Sequence, residues 1–290
     1  SFTFFASAEV VSFEGATPVF VDVDRDTFNI DVKSLEIAIK AVLAEGKLKP
    51  RVIMPVDLFG LPADYDAIQK IADKYDLLIL EDGAQGFGGT YNGKQACSFG
   101  NAATTSFFPA KPLGCYGDGG AIFTNDDEVA KLIRSLAVHG KGEHKYDNVR
   151  IGWNSRLDAM QAAVLLVKLD AFEEYELQDV NKVADWYTEL LTDKVKTPTI
   201  PEGHTSSWAQ YTITLKSEEE RDQVVNKLKD QGIPTIIYYP KPLHQQTVYK
   251  NQKLYVPCPV SEELSRTVVS LPMDPYKEQK QLSIISTTLL

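Results

Sequence analysis

Apolar positions recur with helical spacing through residues 31–45, where Leu35, Ile37, Ile39, Val42 and Leu43 share one face and Gly46 supplies a stop. Unbroken apolar runs stand on either side, at 18–23 and 51–56, and both read as buried strands. A second helix is predicted over 63–75, then a short strand over 77–80 that ends in Glu81-Asp82-Gly83. Strand and helix alternate with short connections, which predicts an α/β fold: a mostly parallel sheet flanked by helices. Such sheets bind ligands at the carboxyl ends of their strands, and Asp82 falls at such an end.

One interruption stands out. Two apolar, β-branched and aromatic runs, 102–108 and 121–124, enclose a stretch with two prolines and four glycines, read as a sharp turn between two buried strands. Lys111 lies inside that turn. Glycine lets backbone approach a ligand, and the apolar flanks set the turn at the edge of a core. A lysine there is expected to be partly desolvated, to have a lowered pKa and to act as a nucleophile that forms a Schiff base. The plain alternative is a solvated loop lysine.

Further on, Asn125-Asp126-Asp127 starts a helix running to about His139, and a polar loop covers 140–150. Gly152-Trp153-Asn154-Ser155-Arg156-Leu157-Asp158 opens a long helix, with Ser155 and Asp158 as a capping pair. Its apolar stripe runs from Leu157 through Leu165 to Phe172, and polar residues thicken towards Leu191, as in helices that bridge two lobes. Residues 198–204 read as a linker, 208–215 as a strand, 217–231 as a helix, 233–239 as a strand and 278–290 as a final helix. The expected division is a large domain over 1–154, an inter-lobe helix and linker over 155–197, and a small α+β domain over 198–290. Residues 1–6 look strand-like and 7–14 helical, as in the middle of a domain, so an N-terminal segment is expected to be missing.

Composition narrows the partners. With 290 residues, 43% hydrophobic, the chain can bury one large or two medium cores. A formal net charge of −10 argues against nucleic acid or an anionic membrane as the main partner. Cys97, Cys115 and Cys258 form no C-x-x-C pair, which fits a reducing cytoplasm and offers neither a metal site nor a disulfide framework. No apolar run is long enough to span a bilayer.

The glycines alone match neither a P-loop nor the dinucleotide spacing. Asp82, the Ser106 hydroxyl and Lys111 together match the needs of pyridoxal 5'-phosphate. That cofactor takes a lysine at its aldehyde, a carboxylate at its pyridine nitrogen, and hydroxyl and N–H groups at its phosphate.

In order and spacing, Glu81-Asp82-Gly83-Ala84-Gln85, Ser106 to Gly120, His139-Gly140, Gly152 to Asp158, Tyr238 to His244 and Leu271 to Tyr276 resemble the DegT/StrS family of fold-type-I nucleotide-sugar aminotransferases. The resemblance spans nearly the whole chain. It is greatest to members that aminate C3 of a UDP-2-acetamido-3-keto-glucuronic acid for surface polysaccharide, with C4 aminotransferases as the alternative. It implies a seven-stranded-type sheet, pyridoxal phosphate, an amino-acid donor such as L-glutamate, a nucleotide-sugar substrate and a homodimer with shared sites. Lys111 would be the catalytic lysine, Asp82 the partner of the pyridinium nitrogen, Gln85 the contact of the ring's phenolic oxygen, Ser106 a phosphate ligand and Phe4 the stacking ring. Asn154 would reach the partner's cofactor phosphate, and Arg156, Tyr238, Tyr239 and His244 would face the substrate. Dehydratases of the family carry histidine where this chain has Lys111. A cofactor-binding sensor without turnover, and a nucleotide-binding α/β protein, are the readings outside that class. This chain departs from the family at Gly83, where alanine is usual, and in lacking the leading phosphate loop.

Overall fold

The computed structural model describes residues 1–144 and 146–289. Its central sheet follows the mostly parallel plan. Val52–Ile53 pairs in parallel with Leu78–Asp82, and that strand pairs in parallel with Ala102–Ser106. Gly120–Phe123 completes four strands, antiparallel to Ala102–Ser106, with Ser106 opposite Gly120. Antiparallel neighbours need no crossover helix. The segment between these last two strands can therefore be a single turn, and it is the turn that carries Lys111. Because Leu78–Asp82 and Ala102–Ser106 run the same way, with Asp82 opposite Thr104, the aspartate and the turn emerge at the same end of the sheet. The run at 121–124 is only half-buried, because its strand is the last of the four described.

The helices lie close to their predicted bounds. Val32–Glu45 is capped by Asp31, whose carboxylate accepts from Lys33 and Ser34, and it stops at Gly46 with φ 70°. Tyr65–Tyr75, Asp127–Leu136 and Glu218–Asp230 are capped by Asp64, Asp126 and Ser217. The long helix starts later than expected, at Ala159. Asp158 caps it alone through Met160, because residues 155–158 are held out of the helix by the bond from Ser155 to Ala137 and the bridge of Asn154 to Val138. It runs through a π-helical turn at Phe172–Glu176 into Leu177–Leu191. The last helix is Gln279–Leu289; Leu290, and Lys145 in the predicted loop, lie outside the described residues.

Three predicted strands do not form: residues 1–6 join no ladder and lead directly into the helix Ala6–Phe13. Residues 18–23 are largely buried, but their backbone bonds go to the Ser34 hydroxyl, the Asp31 amide and the Ser1 amino group, leaving only a Val23–Ile30 bridge. Residues 233–239 make a single bridge, Ile236 to Ser270. Tyr211–Thr214 pairs instead with Val268–Leu271, and that strand was not predicted; nor were the helix Pro259–Thr267 before it and the hairpin Thr90–Tyr91 with Lys94–Gln95. One apolar core joins Tyr187, Leu191, Tyr211, Ile213, Leu228 and Leu282 in the C-terminal half. Another, Phe107, Leu113, Cys115, Leu165 and Phe172, fixes the lysine turn on the long helix. Among the described residues no helix is long and apolar enough to cross a membrane.

Candidate active site

The lysine turn is held from inside and from outside. The Phe107 amide donates to Gly119, and the Cys115 amide and thiol both reach the Phe107 carbonyl, at 2.8 and 3.0 Å. From the long helix, Gln161 accepts the Tyr116 amide at 2.7 Å and the Lys168 ammonium donates to the Gly114 carbonyl at 2.5 Å. These two polar residues are seven apart and so share one helix face, interrupting an otherwise apolar stripe, a signal that sequence reasoning passed over. The glycines serve this self-contact. A Cβ at Gly114 would lie 2.7 Å from the Pro109 carbonyl oxygen, and one at Gly120 2.7 Å from that of Thr105. At Gly114 and Gly120 the missing side chain therefore lets the turn close on itself, a role the expectation of room for a ligand did not include.

Lys111 is half-buried, and burial lowers its pKa against the opposing pull of the Asp82 carboxylate. Asp82 is fixed from several sides. Its carbonyl accepts the Asp57 amide at 3.0 Å, its amide donates to Pro55 at 2.9 Å, and its Oδ2 accepts the Ser7 hydroxyl at 2.6 Å. Ser7 went unnoticed in the sequence; its one signal was a hydroxyl in the first turn of the short helix Ala6–Phe13, three residues after Phe4. Gln85 Oε1 accepts the Phe59 amide at 2.7 Å and its Nε2 donates to the Tyr239 hydroxyl at 3.0 Å. The Tyr239 ring lies 6.3 Å from Phe4 and 5.5 Å from Tyr238, and the Phe4 ring is 56% exposed, an apolar face open at the mouth. Ser106, at its strand's end, accepts the Phe108 amide at 3.2 Å.

Thus Phe4, Asp82, Gln85, Ser106, Lys111, Tyr238 and Tyr239 gather at one end of the sheet. Three predicted residues stand apart. Asn154 and Arg156 are exposed and bonded to each other. His244 has both ring nitrogens engaged, by Ser1 at 2.6 Å and Glu262 at 3.1 Å. A cavity of about 770 Å³ lined by Phe2, Val21, Leu35, Ile39, Ile53 and Leu80 is apolar and contains neither Lys111 nor Asp82.

The departure at Gly83 has a cause in the packing. A Cβ there would come within 2.6 Å of the Cys97 sulfur, so the thiol fills the space of the missing methyl. Cys97 itself has φ 68°, a left-handed conformation that favours glycine. Burial pushes its thiol up to about 12, which keeps it an inert filler.

The residues present fit pyridoxal phosphate. A partly desolvated amine faces a carboxylate, a half-open aromatic ring lies beside them, and Gln85 keeps one N–H hydrogen without an acceptor among the described residues. No group of three or more metal-ligating side chains occurs among the described residues.

Residues 1–289 match the profile of the DegT/DnrJ/EryC1/StrS aminotransferase family. The chain is 44% identical, over 99% of its length and 77% of the relative's, to UDP-2-acetamido-2-deoxy-3-oxo-D-glucuronate aminotransferase of Pseudomonas aeruginosa. It is 44% identical, over 98% and 75%, to a pleiotropic regulatory protein of Geobacillus stearothermophilus. It is 39% identical, over 100% and 75%, to UDP-N-acetyl-3-dehydro-alpha-D-glucosamine 3-aminotransferase of Acidithiobacillus ferrooxidans. Among solved structures, an aminotransferase from Brucella abortus superposes with TM-score 0.95 at 51% identity, over 99% of this chain and 76% of that one.

Proposed function

The chain belongs to the DegT/DnrJ/EryC1/StrS aminotransferase family, and we propose that it uses pyridoxal phosphate to move an amino group from an amino acid, with L-glutamate as first choice, to C3 of a UDP-linked 2-acetamido-3-keto-hexuronic acid for surface polysaccharide. The observation that carries the chemistry is Lys111, its amine drawn towards neutrality by burial while Asp82 faces it. Relatives named for 3-oxo and 3-dehydro UDP-sugars support the sugar and the carbon, and they leave amination at C4 with less support.

When bound, the cofactor supplies an aldehyde that carries the amino group and a ring that takes up the electron pair released at the substrate carbon. This chain's residues do the rest. Lys111 is the nucleophile, and its amine, whose pKa burial lowers, would carry a proton between the substrate carbon and the aldehyde carbon of the cofactor. Asp82, oriented by Ser7, presents its carboxylate to the ring nitrogen and keeps that nitrogen protonated. Gln85 offers N–H to the phenolic oxygen, Ser106 its hydroxyl to the phosphate, and Phe4 a flat apolar face to the ring. Arg156 suits a sugar carboxylate or pyrophosphate through its planar donor fork. Tyr238 and His244 are further candidates on the substrate side.

A homodimer supports the separate position of Asn154 and Arg156, which would then serve the partner's site. In its favour, Ile151, Trp153, Met160, Leu166 and Val167 are all at least 60% exposed around that segment. The separate apolar core of the C-terminal half supports a two-lobe division, and three free thiols suit the cytoplasm.

The test is spectroscopic. Reconstituted protein should show a visible band that borohydride shifts and L-glutamate bleaches, and the UDP-linked 3-keto-sugar should restore it. Lys111→Ala should lose the borohydride response. Failure to reconstitute sinks the enzyme. A band that no amino donor bleaches favours the second reading, a regulatory protein without turnover, for which the name of the Geobacillus relative speaks.

A further inference from the structure

Gln85 joins two segments far apart in the chain, and the direction of its bonds is forced. A backbone N–H can only donate, so the oxygen of the carboxamide must face Phe59 and its NH2 must face Tyr239. The Phe59 amide is aimed by a φ of 58° in the turn Leu58–Gly60, a left-handed conformation that a phenylalanine holds only when its surroundings impose it. Those surroundings are Phe2 and Phe28, packed edge-on against its ring at 6.4 and 5.3 Å. The Tyr239 oxygen is consequently an acceptor towards Gln85. Its own hydrogen, and the second NH2 hydrogen of Gln85, have no acceptor among the described residues. Burial raises the pKa of the Tyr239 hydroxyl, with the charge of Asp82 adding to the effect, so it remains a donor. Asp82 acts in the same way on Lys111, which sets the tyrosine and the lysine around one carboxylate.

We propose that Tyr239 is a positioning residue of the cofactor site: it completes a one-way relay, from the Phe59 amide through Gln85 to the Tyr239 hydroxyl, that presents two donors to one anionic oxygen. The relay rests on the pyridoxal phosphate assignment above. It moves Tyr239 from the substrate side, where the family resemblance put it, to the cofactor side. An anionic oxygen has two possible sources here, the phenolic oxygen of the cofactor and a carboxylate of the sugar, and the phenolic oxygen is the one the relay is assigned.

Tyr239→Phe removes one oxygen and keeps the ring among Phe2, Phe4 and Tyr238. Cofactor-free wild type and variant are titrated with pyridoxal phosphate by intrinsic fluorescence. The visible band of the loaded proteins is then titrated with pH, and KM is measured for the keto-sugar. The facing groups Asp82, Lys111 and Tyr238 are common to both proteins, so the difference isolates the hydroxyl. The variant should bind pyridoxal phosphate about tenfold more weakly, as for one hydrogen bond to a charged group. Its band midpoint should move up in pH, because the more anionic form loses a donor, while the keto-sugar KM stays unchanged. Equal cofactor affinity and midpoint in the two proteins would overturn the relay. So would a raised keto-sugar KM with both unchanged, which would return Tyr239 to the substrate. If wild type itself fails to bind pyridoxal phosphate, the functional assignment and the relay fall together; if only the variant comparison fails, the relay falls alone.

Discussion

Glu81 and Asp82 are consecutive residues of one strand, and the pleat sends their carboxylates to opposite faces of the sheet. Asp82 meets Ser7, Lys111 and the open end of the site. Glu81 is fully buried and accepts the amides of Cys97 and Phe99. Beside it lies Asp57, also fully buried, whose Oδ1 accepts the Ala63 amide and the Tyr65 hydroxyl while its Oδ2 has no partner. Burial and the charge of Glu81 raise the pKa of Asp57 well above the ordinary range; burial raises that of Glu81 too, but Asp57 and the Cys97 and Phe99 amides pull it back down, which assigns the pair's proton to Asp57. One face therefore uses a carboxylate to hold structure and the other uses one for chemistry. A sequence reader sees only two adjacent acids.

Exchanging each for alanine should break the pair most widely apart. Asp82→Ala is expected to lose roughly 10³-fold in turnover, the scale of removing a fixed charge from a reacting centre, with an unchanged melting temperature. Glu81→Ala should instead cost about 3–5 kcal/mol of stability, as when one member of a buried polar network is removed. Thermal melts and turnover on the same preparations separate the two. If Glu81→Ala folds normally and only slows turnover, the division between the faces is wrong.

The buried face also has a pH signature. For a group whose folded pKa is raised, stability is fully present below the unfolded value, 3.8 for Asp57, and is lost as pH rises through the folded value. Asp57→Asn is neutral at every pH and lacks that loss. Its stability relative to wild type should rise above about pH 4 by up to ~1.4 kcal/mol per pH unit until wild-type Asp57 ionises. Paired melts across pH, read as differences, check this; a flat difference would mean that Asp57 is not the proton holder.

The α/β plan was legible because buried parallel strands are continuous apolar runs and the helices carry their caps, as Asp31, Asp64, Asp126 and Ser217 do. Lys111 and Asp82 were legible because their strands are short and neighbouring. The strand at 18–23 failed because apolar runs look the same whether their backbone finds a ladder or scattered partners such as Ser34. The bond between Tyr239 and Gln85, 154 residues apart, has no local signal at all. Nor does the exchange of volume between Gly83 and Cys97, which lies directly behind Asp82. There, Gly83→Ala should cost about 1–3 kcal/mol through overpacking against the sulfur. Cys97→Gly on top of it should recover most of that loss, since it also relieves φ 68°. Additive losses in the double variant would show that the two positions do not share one space.

The smallest effect should come from Ser7, and it is confined to the chemical face. Its hydroxyl reaches Asp82 Oδ2 at 2.6 Å, and the other carboxylate oxygen has only the Ala84 amide at 3.2 Å, so serine supplies the shorter of the two bonds that orient the group. The helix Ala6–Phe13 buries only Ala8, so losing the oxygen of Ser7 leaves the core untouched. Ser7→Ala should therefore leave the melting temperature in place and lower turnover by about tenfold, the scale of one hydrogen bond to a charged acceptor. Ser7→Thr keeps the hydroxyl and should restore turnover. A loss of stability that tracks the loss of rate, or a threonine variant as slow as the alanine one, would assign Ser7 to packing and leave Asp82 oriented by its backbone alone.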